Sequence, residues 1–128
     1  MAFVLAKKRI VKDWPVTINV PVDGGTTAEQ LCSATFEILD QTEYNKLMND
    51  DIAFCCRVVT DFGHDIQHED GSPMPCTPDN KKALFASAGF VRLGFINAYH
   101  EASAGMASKN SKGSQSTLPA ARKRPKQK

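Results

Sequence analysis

Two runs of alternating apolar and polar residues, separated by a glycine pair, constrain this chain most. Val16, Ile18 and Val20 alternate with Thr17 and Asn19, the period-two pattern of a half-buried strand, and Pro15 and Pro21 bracket the run. Asp23-Gly24-Gly25 is a turn signal, after which Cys32, Ala34, Phe36 and Ile38 alternate with Ser33, Thr35 and Glu37. An antiparallel β-hairpin follows from that order. Its apolar face needs a cover, and the rest of the chain supplies one at helical spacing.

Asp40 stands three residues before Glu43, the spacing at which an N-cap carboxylate and a returning one satisfy each other's free amides, so a helix begins there with Tyr44, Leu47 and Met48 as its apolar side. A second helix is expected from about Asp50 to Thr60, its apolar positions being Ile52, Cys55, Cys56 and Val59. The stretch from Asp61 to Pro78 is rich in Gly, Asp, His and Pro and reads as a loop. Thr77 then caps a third helix opened by Pro78, whose missing amide costs nothing at the first helical position. Gly89 divides it from a fourth helix, Phe90 to about Ala104, which Gly105 ends. The expected fold is α+β: an N-terminal hairpin packed on a subdomain of three to four helices.

Charge divides the 128 residues into three parts. Residues 1–12 carry +4 and residues 106–128 carry +7 with no acid, which leaves −9 for residues 13–105 given a net charge of +2. We read a basic N-terminal arm (1–12), a folded acidic domain (13–105) and a basic tail (106–128). The tail is built from small and polar residues around Met106 and Leu118, and it lacks the apolar surface that would offset the entropy of ordering, so disorder is expected there.

Most constellations that could carry chemistry dissolve on inspection. His64 and His68 are four apart among acidic residues, but the glycines around them favour a solvated loop, and no third ligand stands at a zinc spacing. Cys76 and His100 could form a nucleophile and base on paper, yet no local signature accompanies them. The Asp23-Gly24-Gly25 turn joins two strands and is too short to cradle a phosphate. The expectation is therefore no enzyme, no cofactor and no metal. The four cysteines, Cys32, Cys55, Cys56 and Cys76, read as small buried hydrophobes of a reducing compartment. The tail carries no aromatic residue for base stacking, so nonspecific polyanion contact is expected and specific nucleic-acid recognition is not. No apolar run approaches the ~18 residues that cross a bilayer, and Lys7, Lys8 and Arg9 follow the apolar start, an order that is wrong for a signal peptide.

One helix has more apolar surface than a single core contact needs. In the fourth helix Val91, Phe95, Ala98, Tyr99 and Ala102 share the core stripe, whereas Leu93 and Ile96 lie toward the side that bears Arg92 and His100. Either that helix is buried on two sides, or Leu93 and Ile96 form a partner-binding face for another helix.

The order of these elements from Val16 to Asn110 resembles the tail assembly chaperones of long-tailed bacteriophages. The likeness rests on the strand and turn Val16-Thr17-Ile18-Asn19-Val20-Pro21-Val22-Asp23-Gly24-Gly25 and on the strand-to-helix passage Phe36-Glu37-Ile38-Leu39-Asp40-Gln41-Thr42-Glu43-Tyr44. It continues in the turn and capped helix Glu69-Asp70-Gly71-Ser72-Pro73-Met74-Pro75-Cys76-Thr77-Pro78-Asp79-Asn80, and in Ala98-Tyr99-His100-Glu101-Ala102 with Gly105 and Lys109-Asn110. Phe62 stands where many relatives have tryptophan. The resemblance implies a late phage protein of virion morphogenesis, acting in the host cytoplasm, which binds the tape measure protein and keeps it soluble until tail tube protein polymerises around it. It implies no catalytic residues. A structural tail component, such as a tube, terminator or connector subunit, is the alternative.

Overall fold

The structure, a computed structural model, describes residues 2–6 and 8–106. Strands β1 (Arg9–Val22), β2 (Thr26–Ile38) and β3 (Val59–Phe62) form one antiparallel sheet in the order β1-β2-β3, with helices α1 (Gln41–Leu47), α2 (Asp51–Val58), α3 (Pro78–Ser87) and α4 (Gly89–Ser103) packed with it. The architecture is α+β, an N-terminal hairpin joined to four helices. No helix among the described residues is long and apolar enough to cross a membrane. The tail lies outside the described residues, Met106 excepted.

The hairpin is longer than the alternating runs alone indicate. Val22 pairs with Thr26 around Asp23-Gly24-Gly25, where Gly24 (φ 87°) and Gly25 (φ 83°) supply the left-handed conformations of the turn. At the other end, β1 bulges between Val11 and Trp14, with Asp13 at φ 54°, and then resumes pairing to Arg9. The expected basic arm, 1–12, is thus corrected: Arg9–Lys12 belong to the sheet. Pro15 and Pro21 lie inside β1 and do not bound it.

The helix starts follow their caps. Asp40 Oδ1 accepts from Glu43 N–H at 2.8 Å, Asp50 Oδ1 from Ala53 N–H at 3.0 Å, and Thr77 Oγ1 from Asn80 N–H at 3.2 Å. The reciprocal half of the first box does not form, because Glu43 turns to Arg57 (Nε–Oε2 2.9 Å), which also holds Glu37 of β2 at 3.1 Å. Two further expectations are corrected. The second helix ends at Val58, and Val59–Phe62, read as helix end and loop, form β3 beside β2. Lys81 Nζ secures that junction by donating to the carbonyls of Cys56 and Val59 at 2.9 and 3.0 Å. In α1, Tyr44 and Leu47 pack inward as expected, but Met48 is exposed.

The core is largely aromatic. Val16, Ala34 and Phe36 from the hairpin meet Phe54 and Val58 of α2, Phe85 of α3, and Phe95 and Tyr99 of α4. Phe54 and Tyr99 meet edge to face with centroids 5.0 Å apart, as do Phe85 and Phe95. Buried Tyr99 also accepts the Leu39 N–H at 3.0 Å, tying α4 to the end of β2. Helix α4 approaches β1 closely because residue 94 is glycine: a Cβ there would lie 2.7 Å from the Thr17 carbonyl oxygen and 3.1 Å from Ile18 Cγ1.

Candidate functional site

Helix α4 turns Val91, Gly94, Phe95, Ala98 and Tyr99 inward, and the expected stripe holds except that Ala102 is only half-buried. The two surplus apolar residues part company. Leu93 stands 56% exposed, whereas Ile96 is half-buried and packs on the margin of the core. Beside Ile96, the seam between α4 and the α1–α2 pair forms a dimple lined by Tyr44, Met48, Asp51, Phe54 and His100. At about 40 Å³ it is far below the several hundred Å³ that enclose a small molecule. Met48 at its wall is 53% exposed, and Leu93 is exposed on α4 three residues before Ile96. Such relief suits a ridge of side chains laid across it. Met48 was missed as a surface residue because helical period alone assigned it to the inner face.

His100 stands at this seam with a fixed partner, its Nε2 lying 3.0 Å from Tyr44 Oη. Cys76 belongs to a different neighbourhood, near Lys81, Asp61 and Cys56, so the pair weighed from sequence is not brought together. Of the four cysteines expected as buried hydrophobes only Cys55 is fully buried, while Cys32, Cys56 and Cys76 are half-buried; the burial that each has raises its thiol. Cys32 is pushed up to about 12 by burial and then by the charge of Asp65, and Cys55 to about 12 by burial and then by Asp51. Burial likewise raises Cys56 and Cys76, against the neighbouring lysine charges. Each thiol therefore stays protonated at neutral pH, the state that packs and not the state that attacks.

The segment with His64 and His68 is a loop, closed by the isolated bridge between Gln67 and Pro73. Among the described residues no group of three or more His, Cys, Asp or Glu side chains is placed to hold a metal ion. A hollow of about 680 Å³ forms an open trough between the hairpin and α4, lined by Thr17, Asn19, Glu29, Asn97 and Glu101 among others. It brings together the carboxylates of Glu29 and Glu101 and the amides of Asn19 and Asn97, with His100 at its wall.

Comparison with protein-family models, with curated proteins and with solved structures finds no match to this chain.

Proposed function

We propose that this chain is a nonenzymatic tail assembly chaperone of a long-tailed bacteriophage, which covers apolar stripes of the tape measure protein in the host cytoplasm before the tail tube closes around it. The reading starts from the resemblance in motif order, and one structural observation supports it: the shallow apolar seam between α4 and the α1–α2 pair, lined by Met48 and Ile96, with Leu93 exposed on α4 three residues before Ile96. A long helical client exposes repeating apolar stripes that self-associate when uncovered. A holdase that must release them to a better partner needs moderate, shallow contacts and no deep pocket. Asp51 at the rim adds a negative charge suited to basic residues flanking such a stripe.

Co-expression tests the reading. The cognate tape measure protein is expected in the soluble fraction with this chain and in the pellet without it; equal solubility in both cases refutes the assignment. The long exposed hairpin ribbon favours a second reading, a structural tail subunit, since such ribbons join neighbours in rings. Mass spectrometry of purified virions separates the two. A chaperone is absent from finished particles, and a structural subunit is present in many copies.

A further inference from the structure

Unpaired backbone groups along the edge of a sheet form a template for another strand, and proteins commonly blunt such edges with proline, charge or a covering element. The two edges of this hairpin are finished differently. Ser33 fixes the phase on the β2 side: its carbonyl accepts from Gly63 N–H at 2.8 Å and its N–H donates to Asp65 Oδ1 at 3.1 Å, both away from β1. Thr35 follows the same phase, its carbonyl accepting from Thr60 Oγ1. Backbone groups alternate sides along a strand, and the β1–β2 register runs unbroken from Trp14–Ala34 to Val22–Thr26, so Thr27, Glu29 and Leu31 also direct their N–H and C=O groups away from β1. Strand β3 pairs only with Ala34–Phe36, and Thr26–Leu31 are exposed throughout. Among the described residues nothing bonds to those outward groups.

On the β1 side the same phase sends Pro15, Thr17, Asn19 and Pro21 outward. The prolines have no N–H to offer, and the Thr17 carbonyl lies against α4 at Gly94. Of these four, only Asn19 keeps a full donor and acceptor.

We infer that the open edge of β2 is an interface for a second copy of this chain, joined antiparallel about a twofold axis. A twofold contact uses the same edge on both copies, and an antiparallel edge complements itself. A head-to-tail stack would need the β1 edge of the next copy, which the prolines and α4 close, so assembly stops at two. Charge and strand length set the register, since an axis through Ala28 would leave Leu31 opposite Gly25 in the turn. Glu29 is the sole charged residue between Thr26 and Cys32. An axis through it would set two carboxylates face to face, an unfavourable cross-strand pair. An axis through Gln30 instead sets Glu29 opposite Leu31 of the partner subunit. The ladder ends at Ser33, whose outward groups Gly63 and Asp65 already occupy. This inference is independent of the tail-assembly reading.

The test is the solution mass of the full chain by light scattering across a dilution series. A mass of two chains when concentrated, falling to one on dilution, is expected. Leu31→Pro removes one outward N–H without touching the ladder to β1, and Leu31→Lys adds a charge at the same place; each is expected to give single chains with an unchanged melting temperature in dilute solution. Asn19→Pro, on the opposite edge, leaves the dimer intact. Gln30→Cys joins the copies by a disulfide under mild oxidation, because non-hydrogen-bonded partners in an antiparallel pair have Cα atoms about 4.5 Å apart, within disulfide range. A single-chain mass at every concentration overturns the proposal, as does a dimer that survives both Leu31 variants. A dimer that Gln30→Cys fails to cross-link overturns the Gln30 axis.

Discussion

Replacing Gly94 with alanine sets two effects of known size against each other. In the interior of an exposed helix the change gains about 1 kcal/mol, since glycine is the poorer helix former. Here the new methyl would lie 2.7 Å from the Thr17 carbonyl oxygen, a backbone atom fixed in β1, and 3.1 Å from Ile18 Cγ1. Neither neighbour is the loose end of a flexible side chain, so α4 itself must shift, and overpacking of this kind costs about 1–3 kcal/mol. Because the obstruction is backbone, the upper part of that range applies, and a net loss of about 1–2 kcal/mol is expected. Each kcal/mol lowers the melting temperature by about 4–8 °C in a folded region of this size. Equilibrium urea unfolding measures the loss, with an unchanged slope showing that the native state keeps its compactness. Gly89→Ala is the control: its nearest neighbour, Arg92 Nη2, lies at 3.7 Å, an ordinary contact, so the same chemical change there is neutral or stabilising by up to about 1 kcal/mol. Equal effects at the two sites, or a stabilising Gly94→Ala, would refute the close approach of α4 to β1.

Three further outcomes are expected. Tyr99→Phe strands the buried Leu39 N–H without its acceptor and costs about 1–3 kcal/mol by denaturant unfolding. Arg57→Met releases Glu37 and Glu43 together and costs about 1 kcal/mol, the pair being partly open to solvent. The hydrogen bond from Arg57 holds the Glu37 carboxyl below its ordinary value, so this contribution is complete above the ordinary carboxylate range and fades as pH falls through the lowered folded value. Stability measured against pH should therefore lose part of its acid limb in Arg57→Met. Leu93→Ser changes stability by no more than about 0.5 kcal/mol, as for an exposed side chain, while Ile96→Ser costs about 1–2 kcal/mol for its half-buried surface. If Leu93→Ser abolishes pull-down of the tape measure protein with melting unchanged, Leu93 acts in docking; unimpaired pull-down removes it from the proposed site.

Local chemistry announced the parts of this fold that rest on a few adjacent residues. Asp40 and Thr77 each cap the helix that they were expected to open, and the two glycines after Asp23 turn the hairpin. What escaped was decided across the fold. Pro15 and Pro21 looked like the ends of a strand because proline cannot donate to a ladder, yet both sit at positions whose amides face away from β2. Val59 continues the helical period of α2, and only the neighbouring edge of β2 makes it the start of a strand. Glu43 fitted a capping box in one dimension and found a stronger partner, Arg57, in three. At the candidate site the same divide appears: period placed Leu93 and Ile96 off the core stripe of α4, but whether each meets protein or solvent depends on where α1 and α2 lie.

The bond from Leu39 to Tyr99, and the packing of Phe36 beneath Phe95 and Tyr99, join residues made early to residues made late. At about 5–20 residues per second, the stretch between Ile38 and Ser103 takes the ribosome roughly 3–13 s to finish. Throughout that interval the newborn hairpin has its greasy side bare, with the last helix still unwritten. The polypeptide thus spends its own first seconds in need of shelter.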